Sequence, residues 1–336
     1  MDKSVGHSVR NINAMIQMRF LVTAFIVVSA ITKGYSQSTA PGSFTTIGYG
    51  ARAIAMGNAL TALSGNGALT PYNPALAAPL GEVVPTRNVT LSVGILTLDR
   101  SLDFLSFTQP LKPHAGLAVG ILHAGVSRID GRDADGVHTV DYSTSENQIY
   151  FSFANQFTHN LAVGVSLKLY YYKLFDKLSS TTAAIDLGAT YFISDALTVG
   201  VAVTDINAKY KWDTSSLYGQ SGASTVDNLP VVTRIGASYR FPAIGGIGGT
   251  IAAAFEFTNT GRRLLRIGTE VGVVEGIFLR GGVDRISLSG SKLALPSLGF
   301  GVGRTIASVP VAFDYAYVFE PYNSGDMHVL TLSFQP

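Results

Sequence analysis

From Val89 to the C-terminus the sequence alternates with a period of two, and its ionised residues keep to one phase of that alternation. In 161–171, Leu161, Val163, Val165, Leu167, Leu169 and Tyr171 share one face, and Ala162, Gly164, Ser166, Lys168 and Tyr170 share the other. In 250–257, Ile251, Ala253, Phe255 and Phe257 stand opposite Thr250, Ala252, Ala254 and Glu256. Successive side chains of a strand point to opposite faces, so each such segment has one oily face and one small or polar face. Lys168, Asp186, Arg234, Arg240, Glu256, Arg266, Glu270, Arg280, Asp284 and Asp314 all fall on the small or polar face. A soluble sandwich would turn its oily face inward and fill the other with Lys, Glu and Thr; here the second face is dominated by Gly, Ala and Ser. An Arg or Lys facing lipid at the bilayer midplane costs roughly 2–4 kcal/mol. The pattern therefore places the oily face against lipid and the ten charges, five acids and five bases, in a lumen.

Fourteen segments carry this signal: 89–98, 101–109, 114–124, 147–157, 161–173, 183–193, 197–205, 231–241, 247–258, 264–273, 276–285, 295–304, 309–319 and 326–334. An even number of tilted antiparallel strands is the rule for bacterial single-chain barrels. Links after every second strand are short, as in Thr158-His159-Asn160 and Ser194-Asp195-Ala196, whereas 125–146 and 206–230 read as long loops. Short turns on one rim and longer loops on the other imply that both termini lie in the periplasm. Tyr171, Tyr191, Tyr239, Phe241, Phe319 and Phe334 recur near strand ends, as interfacial aromatic girdles require. The expected fold is a 14-stranded antiparallel transmembrane β-barrel in the outer membrane, with lipid as its surroundings.

Only 14% of residues are charged, against about 25% for an average soluble domain. The longest apolar run, Phe20 to Ile31, is too short for a spanning helix, which takes roughly 18 or more apolar residues. It follows Lys3, Arg10 and Arg19 and precedes Gly34-Tyr35-Ser36-Gln37, the order of a secretory signal peptide over residues 1–36. The remaining chain has 20 basic and 21 acidic residues, so no basic footprint for nucleic acid is left. Residues 37–86 differ from the rest: Ala51 to Leu63 has helical character, and Pro71, Asn73-Pro74 and Pro79 enforce turns. The organisation is thus a signal peptide (1–36), an N-terminal segment (37–86) of helical and coil character, and a barrel (87–336).

Catalytic chemistry finds little footing. There is no cysteine, no Gly-x-Ser-x-Gly elbow and no His-Glu-x-x-His pair. Gly299-x-Gly301-x-Gly303 is an inward stripe rather than a phosphate loop. Asp130 to Gly136 has calcium-loop character, but Gly131 and Tyr142 stand where an EF-hand needs acids. His123, His138 and Asp141 have no spacing that selects a hydrolase. No enzyme activity, metal or cofactor is expected.

The run Gly50-Ala51-Arg52-Ala53-Ile54-Ala55-Met56-Gly57-Asn58-Ala59, followed by Tyr72-Asn73-Pro74-Ala75, resembles the N-terminal signature of FadL-like barrels, in particular the PorV/PorQ group. Asp314-Tyr315-Ala316-Tyr317 with His328 to Phe334 is similar to that group's C-terminal hairpin. The resemblance spans about 43–336, and fourteen strands is that family's number. It implies a type IX secretion-associated protein whose partners are secretion components or exported cargo. Its alternative implication is a passive channel for hydrophobic small molecules. On either reading the N-terminal segment would be a plug within the lumen, with Arg52, Met56, Gly57, Asn73 and Pro74 at its working surface.

Overall fold

The computed structural model describes residues 41–63, 69–80, 86–244, 247–288, 294–321 and 325–336. The proposed signal peptide, 1–36, lies outside them. Sixteen strands are present among the described residues: β1 (Asn88–Ile95), β2 (Arg100–Leu111), β3 (Ala115–Arg132), β4 (His138–Thr158), β5 (Leu161–Phe175), β6 (Leu178–Phe192), β7 (Leu197–Ile206), β8 (Lys209–Asp213), β9 (Ser224–Asn228), β10 (Val232–Ile244), β11 (Ile247–Thr258), β12 (Arg263–Val274), β13 (Ile277–Ser287), β14 (Leu295–Ile306), β15 (Val309–Val318) and β16 (Met327–Phe334). Fourteen close into an antiparallel transmembrane barrel, β1 pairing with β16 from Val89↔Phe334 to Ile95↔His328. The other two, β8 and β9, form a separate hairpin. No described helix is long and apolar enough to cross a membrane; the strands cross it.

The alternation is realised strand by strand. On β5, Val163, Val165, Leu167, Leu169 and Tyr171 are 38–58% exposed, whereas Ala162, Ser166, Lys168 and Tyr170 are at most 2% exposed. A barrel that exposes Val, Leu, Ile and Phe around its girth while burying Lys and Asp inverts the soluble arrangement, and lipid is the solvent that rewards this. Tyr191, Tyr239, Phe241 and Phe334 sit toward the short-turn rim, Tyr171 and Phe319 toward the long-loop rim. Asp103 departs from the rule: it points outward at the long-loop end of β2, opposite His123, which is hydrogen-bonded to Asn147.

Two loop expectations are corrected. Residues 125–146 are mostly paired strand: β3 and β4 run past the lipid-facing band to a tip at Asp133–Val137. Strands of 18 and 21 residues exceed the roughly 9–11 needed to cross a bilayer, so this hairpin projects beyond it. Residues 206–230 hold the β8–β9 hairpin, which bends inward: Tyr210 and Trp212 are buried against Tyr172, with ring centroids 5.4 and 5.2 Å away.

Residues 41–63 and 69–80 occupy the lumen and are buried almost throughout. Helix α1 (Ala51–Ala55) starts after Gly50 and ends in Gly57, whose φ of 58° suits a residue without a side chain. The chain then reaches a 3-10 turn, Pro74–Ala77, capped by Asn73 with proline in the first position. The wall makes room for this backbone with glycine. A Cβ on Gly116, Gly164, Gly268 or Gly282 would lie 1.8–2.5 Å from Ala77, Ala75, Met56 or Gly57 respectively. The small inward residues thus mark where main chain lies directly on the wall.

Candidate functional site

Nine of the ten charges assigned to the lumen are buried there, at most 7% exposed. The tenth, Arg240, has the same phase but lies exposed at the short-turn end of β10, beside a small cleft with Asp195 and Thr250. Phase fixes which way a side chain points, not how deep it sits.

The buried charges form three connected groups. Lys168 bridges Asp186 (2.7 Å) and Asp205 (3.0 Å). Glu256 takes Arg234 (2.9 Å), Arg262 (3.1 Å) and Arg266 (2.5 Å), and Arg266 continues to Asp284 (2.5 Å). Arg52 of the N-terminal segment forks onto both oxygens of Glu270 at 2.7 and 2.8 Å; Arg280 joins Glu270 (2.6 Å) to Asp314 (2.7 Å). Bidentate guanidinium pairing fixes orientation as well as charge, so α1 is held in one pose.

The remaining predicted residues are structural in their contacts. The Asn73 amide donates to Thr61 O (2.9 Å) and Ala189 O (3.1 Å), and its oxygen accepts from Ala75 N. Its hydrogen-bonding groups are therefore engaged in seating the segment. Met56 is fully buried; its carbonyl lies against Gly268, and Gly57 lies against Val283. Pro74 is buried against Gly164 and Gly188.

Several residues that shape the site escape the alternation. Asp205 and Arg285 would point outward by phase, yet both face the lumen. Each sits in a β-bulge: Thr204 and Asp205 together oppose Asp186, and Asp284 and Arg285 together oppose Arg266. Both have left-handed φ, 65° and 58°. A bulge adds one residue to one strand and re-aims its side chain. Arg285 uses this to reach the N-terminal segment, donating to Thr46 O (3.0 Å) and Thr46 Oγ1 (3.1 Å). Arg262 and Glu320 lie in turns and loop ends, where no period exists, and Arg100 opens β2 one residue before the segment read from the sequence.

Two cavities flank α1 along the wall formed by β13–β16. The first, about 300 Å³, lies on the long-loop side between the 3-10 turn Ser43–Thr46 and the wall, lined by Ile54, Asn58, Asp284, Arg285, Ser297, Val318 and Met327 among others. The second, about 640 Å³, opens on the short-turn side beside Gly276, Gly303, Thr305, Ala312 and Ser333. The inward residues of β14 give the layers between them in order. Ser297 lines the first cavity and donates to Ala55 O (3.2 Å), and Gly299 meets Ala55. Gly301 meets the Arg280–Asp314 pair, and Gly303 lines the second cavity. At about 3.4 Å per residue, these layers are spaced about 7 Å apart along the strand. One helical turn and one layer of ion pairs separate the two spaces.

At the hairpin tip, Asp130, His138 and Asp141 bring ligand-type atoms within 4.8 Å of one another, all exposed. Both Asp130 oxygens are engaged, Oδ1 by His138 (2.7 Å) and Oδ2 by Arg132 (2.6 Å). His123 lies far down the same hairpin, so these residues do not form one constellation with it.

No protein-family model matches the chain, and no curated protein matches its sequence. Solved structures do match its fold. The Ralstonia pickettii toluene transporter TbuX covers 87% of this chain and 98% of its own, at 14% identity and a TM-score of 0.57. A Pseudomonas aeruginosa FadL homologue covers 90% and 99% at 12% identity and 0.55, and the Pseudomonas putida toluene transporter TodX 85% and 96% at 14% and 0.55. At such identities what is shared is the architecture: these membrane barrels and the present chain have the same fold over nearly the whole of their lengths.

Proposed function

We propose that this chain is an outer-membrane channel, with both termini in the periplasm, that admits small hydrophobic molecules at its long-loop rim. The observation carrying this reading is the cavity of about 300 Å³ on the long-loop side of the N-terminal segment, walled partly by Phe44, Ile47, Ile54, Leu295, Val318 and Met327. Small-molecule pockets are concave and mostly apolar with a few placed polar groups, and this one is at the lower end of their roughly 300–1,000 Å³ range. The barrel shares its architecture with the toluene transporter TbuX and the monoaromatic hydrocarbon channel CymD. The N-terminal segment serves as a plug, and Arg52 with Glu270 holds it. Uptake of toluene into proteoliposomes tests the reading: the chain should accelerate entry over protein-free vesicles, and equal rates would end it.

A second reading, a part in type IX secretion or surface-protein handling, rests on the signature around Arg52 and Asn73. It is favoured by the β3–β4 hairpin, which projects past the lipid-facing band and exposes Val137 and Val140. A deletion strain decides it, since trapped surface proteins would support it and an unchanged secretome would dismiss it.

A further inference from the structure

We propose that the long-loop cavity is built for a small apolar molecule that carries a carboxylate, its head group held by Arg262 and Arg285. This deepens the channel reading by naming the solute class. One wall of the cavity is apolar, formed by Phe44, Ile47, Leu295, Val318 and Met327, and another presents the two guanidinium groups. A third arginine at the rim, Arg100, is paired with Glu320 at 3.0 Å.

The charge balance behind this wall is uneven. Arg234, Arg262, Arg266 and Arg285 share only two carboxylates, Glu256 and Asp284. Including the adjoining Lys168, Asp186 and Asp205 gives five cations against four acids among the described residues. The shortfall falls on the two arginines at the cavity. Arg262 has the longest of the three contacts to Glu256, 3.1 Å, and its buried Nε has no partner. Arg285 is 3.6 Å from Asp284, whose oxygens already take Arg266 and Asn58, and its other bonds go to uncharged Thr46. Both side chains are partly withdrawn from water, 24% and 23% exposed, and an anion entering beside a cation so placed supplies the counter-charge it lacks. The bulge at Arg285 has the same sense, since left-handed non-glycine residues cluster at ligand clamps.

A neutral hydrocarbon would cover the apolar wall and leave the surplus charge unanswered. An inorganic anion would answer the charge and leave the apolar wall wet. The volume suits one ring or a short chain better than a long acyl tail. Benzoate and its uncharged isostere benzamide are therefore the probes.

Binding of both to the full mature chain in alkyl-maltoside micelles would be measured by titration calorimetry at pH 7. Benzoate should bind at least about tenfold more tightly than benzamide. Arg262→Gln combined with Arg285→Gln should abolish that preference, and the charge-keeping Arg262→Lys should retain part of it. Folding of each variant is read from its heat-modified gel mobility, and Arg262→Gln alone serves if the double variant does not fold. Equal affinities in the unaltered chain, or a preference that survives the glutamine changes, overturns the inference. Toluene entry into phosphatidylcholine vesicles separates the two readings. Toluene entry without benzoate preference leaves a channel for neutral solutes, and benzoate preference without toluene entry leaves the carboxylate site standing without the hydrocarbon channel.

Discussion

The two sides of the lumen hold the N-terminal segment by different physics. Toward β2–β6 the contacts are aromatic: Tyr49 lies edge-on to Tyr72 and Phe104, with centroids 5.4 Å apart in each pair, and Phe104 stacks with Tyr150. Toward β10–β15 they are ionic and polar: Arg52 pairs with Glu270 and Asn58 donates to Asp284, with Glu256, Arg266 and Arg280 extending the ion pairs along the wall behind them. Both larger cavities lie on the ionic side. Aromatic rings interdigitate to fill space, whereas ion pairs need particular directions and distances and leave gaps beside them. The aromatic side is filled, and the ionic side is where the larger cavities remain.

The sharpest way to break this contrast is to remove the cation that neutralises two buried acids. Lys168→Met leaves Asp186 and Asp205 together without their base and should cost about 3–5 kcal/mol, read from urea unfolding in micelles. A loss below about 1 kcal/mol would mean that water reaches this group. Next, Phe104→Ala should cost about 3 kcal/mol in the same assay. It should leave benzoate affinity unchanged, because Phe104 is not among the residues that line the cavity; altered affinity would show that the two sides are coupled. Gly268→Val puts a side chain where Met56 O lies 2.1 Å from the ideal Cβ and should cost about 2 kcal/mol. Proteolysis of residues 41–63 should accelerate in that variant, and unchanged cutting would mean that the wall yields instead.

The smallest effect belongs to an ion pair outside the bilayer. At the hairpin tip the hydrogen bond to Asp130 raises the His138 pKa, and the bonds from His138 and Arg132 lower that of Asp130. His138 gained its partner on folding, so its contribution is present at low pH and disappears as pH rises through its raised pKa. That of Asp130 disappears as pH falls through its lowered one. Between those limits the pair persists, and a histidine chemical-shift titration should show His138 titrating above its ordinary value. Since the tip is exposed, Asp130→Asn should leave barrel unfolding unchanged.

Much of this was legible in the alternation. The oily phase of β5 and β11 and the charges on the other phase specify a lipid-facing barrel with an ionic lumen. The resemblance at Arg52 and Asn73 drew attention to the segment within it. Three things were not legible. Depth is invisible to a period of two, which does not set Arg240, exposed at the rim, apart from the nine buried charges. Pairing between distant strands leaves no local trace, and so neither did the sharing of Glu256 by three arginines. A bulge shifts the phase without a dedicated residue type, which hid Asp205 and Arg285. The β8–β9 hairpin read as loop because its short strands pack by aromatic side chains rather than by barrel register.

The bulges also bear on how such a lumen changes over generations. In β7 and β13 one added residue carries a charge into the interior beside lumen-facing Thr204 or Asp284, while Val203 and Ile206, or Val283 and Ile286, keep their facing toward lipid. An insertion of this kind alters the chemistry of the lumen without demanding compensating substitutions on the membrane side. A single-residue deletion at the same place is its inverse, removing the charge and restoring regular pairing. The chemistry of this lumen can thus drift through gains and losses of single codons, in steps that the bilayer does not sense.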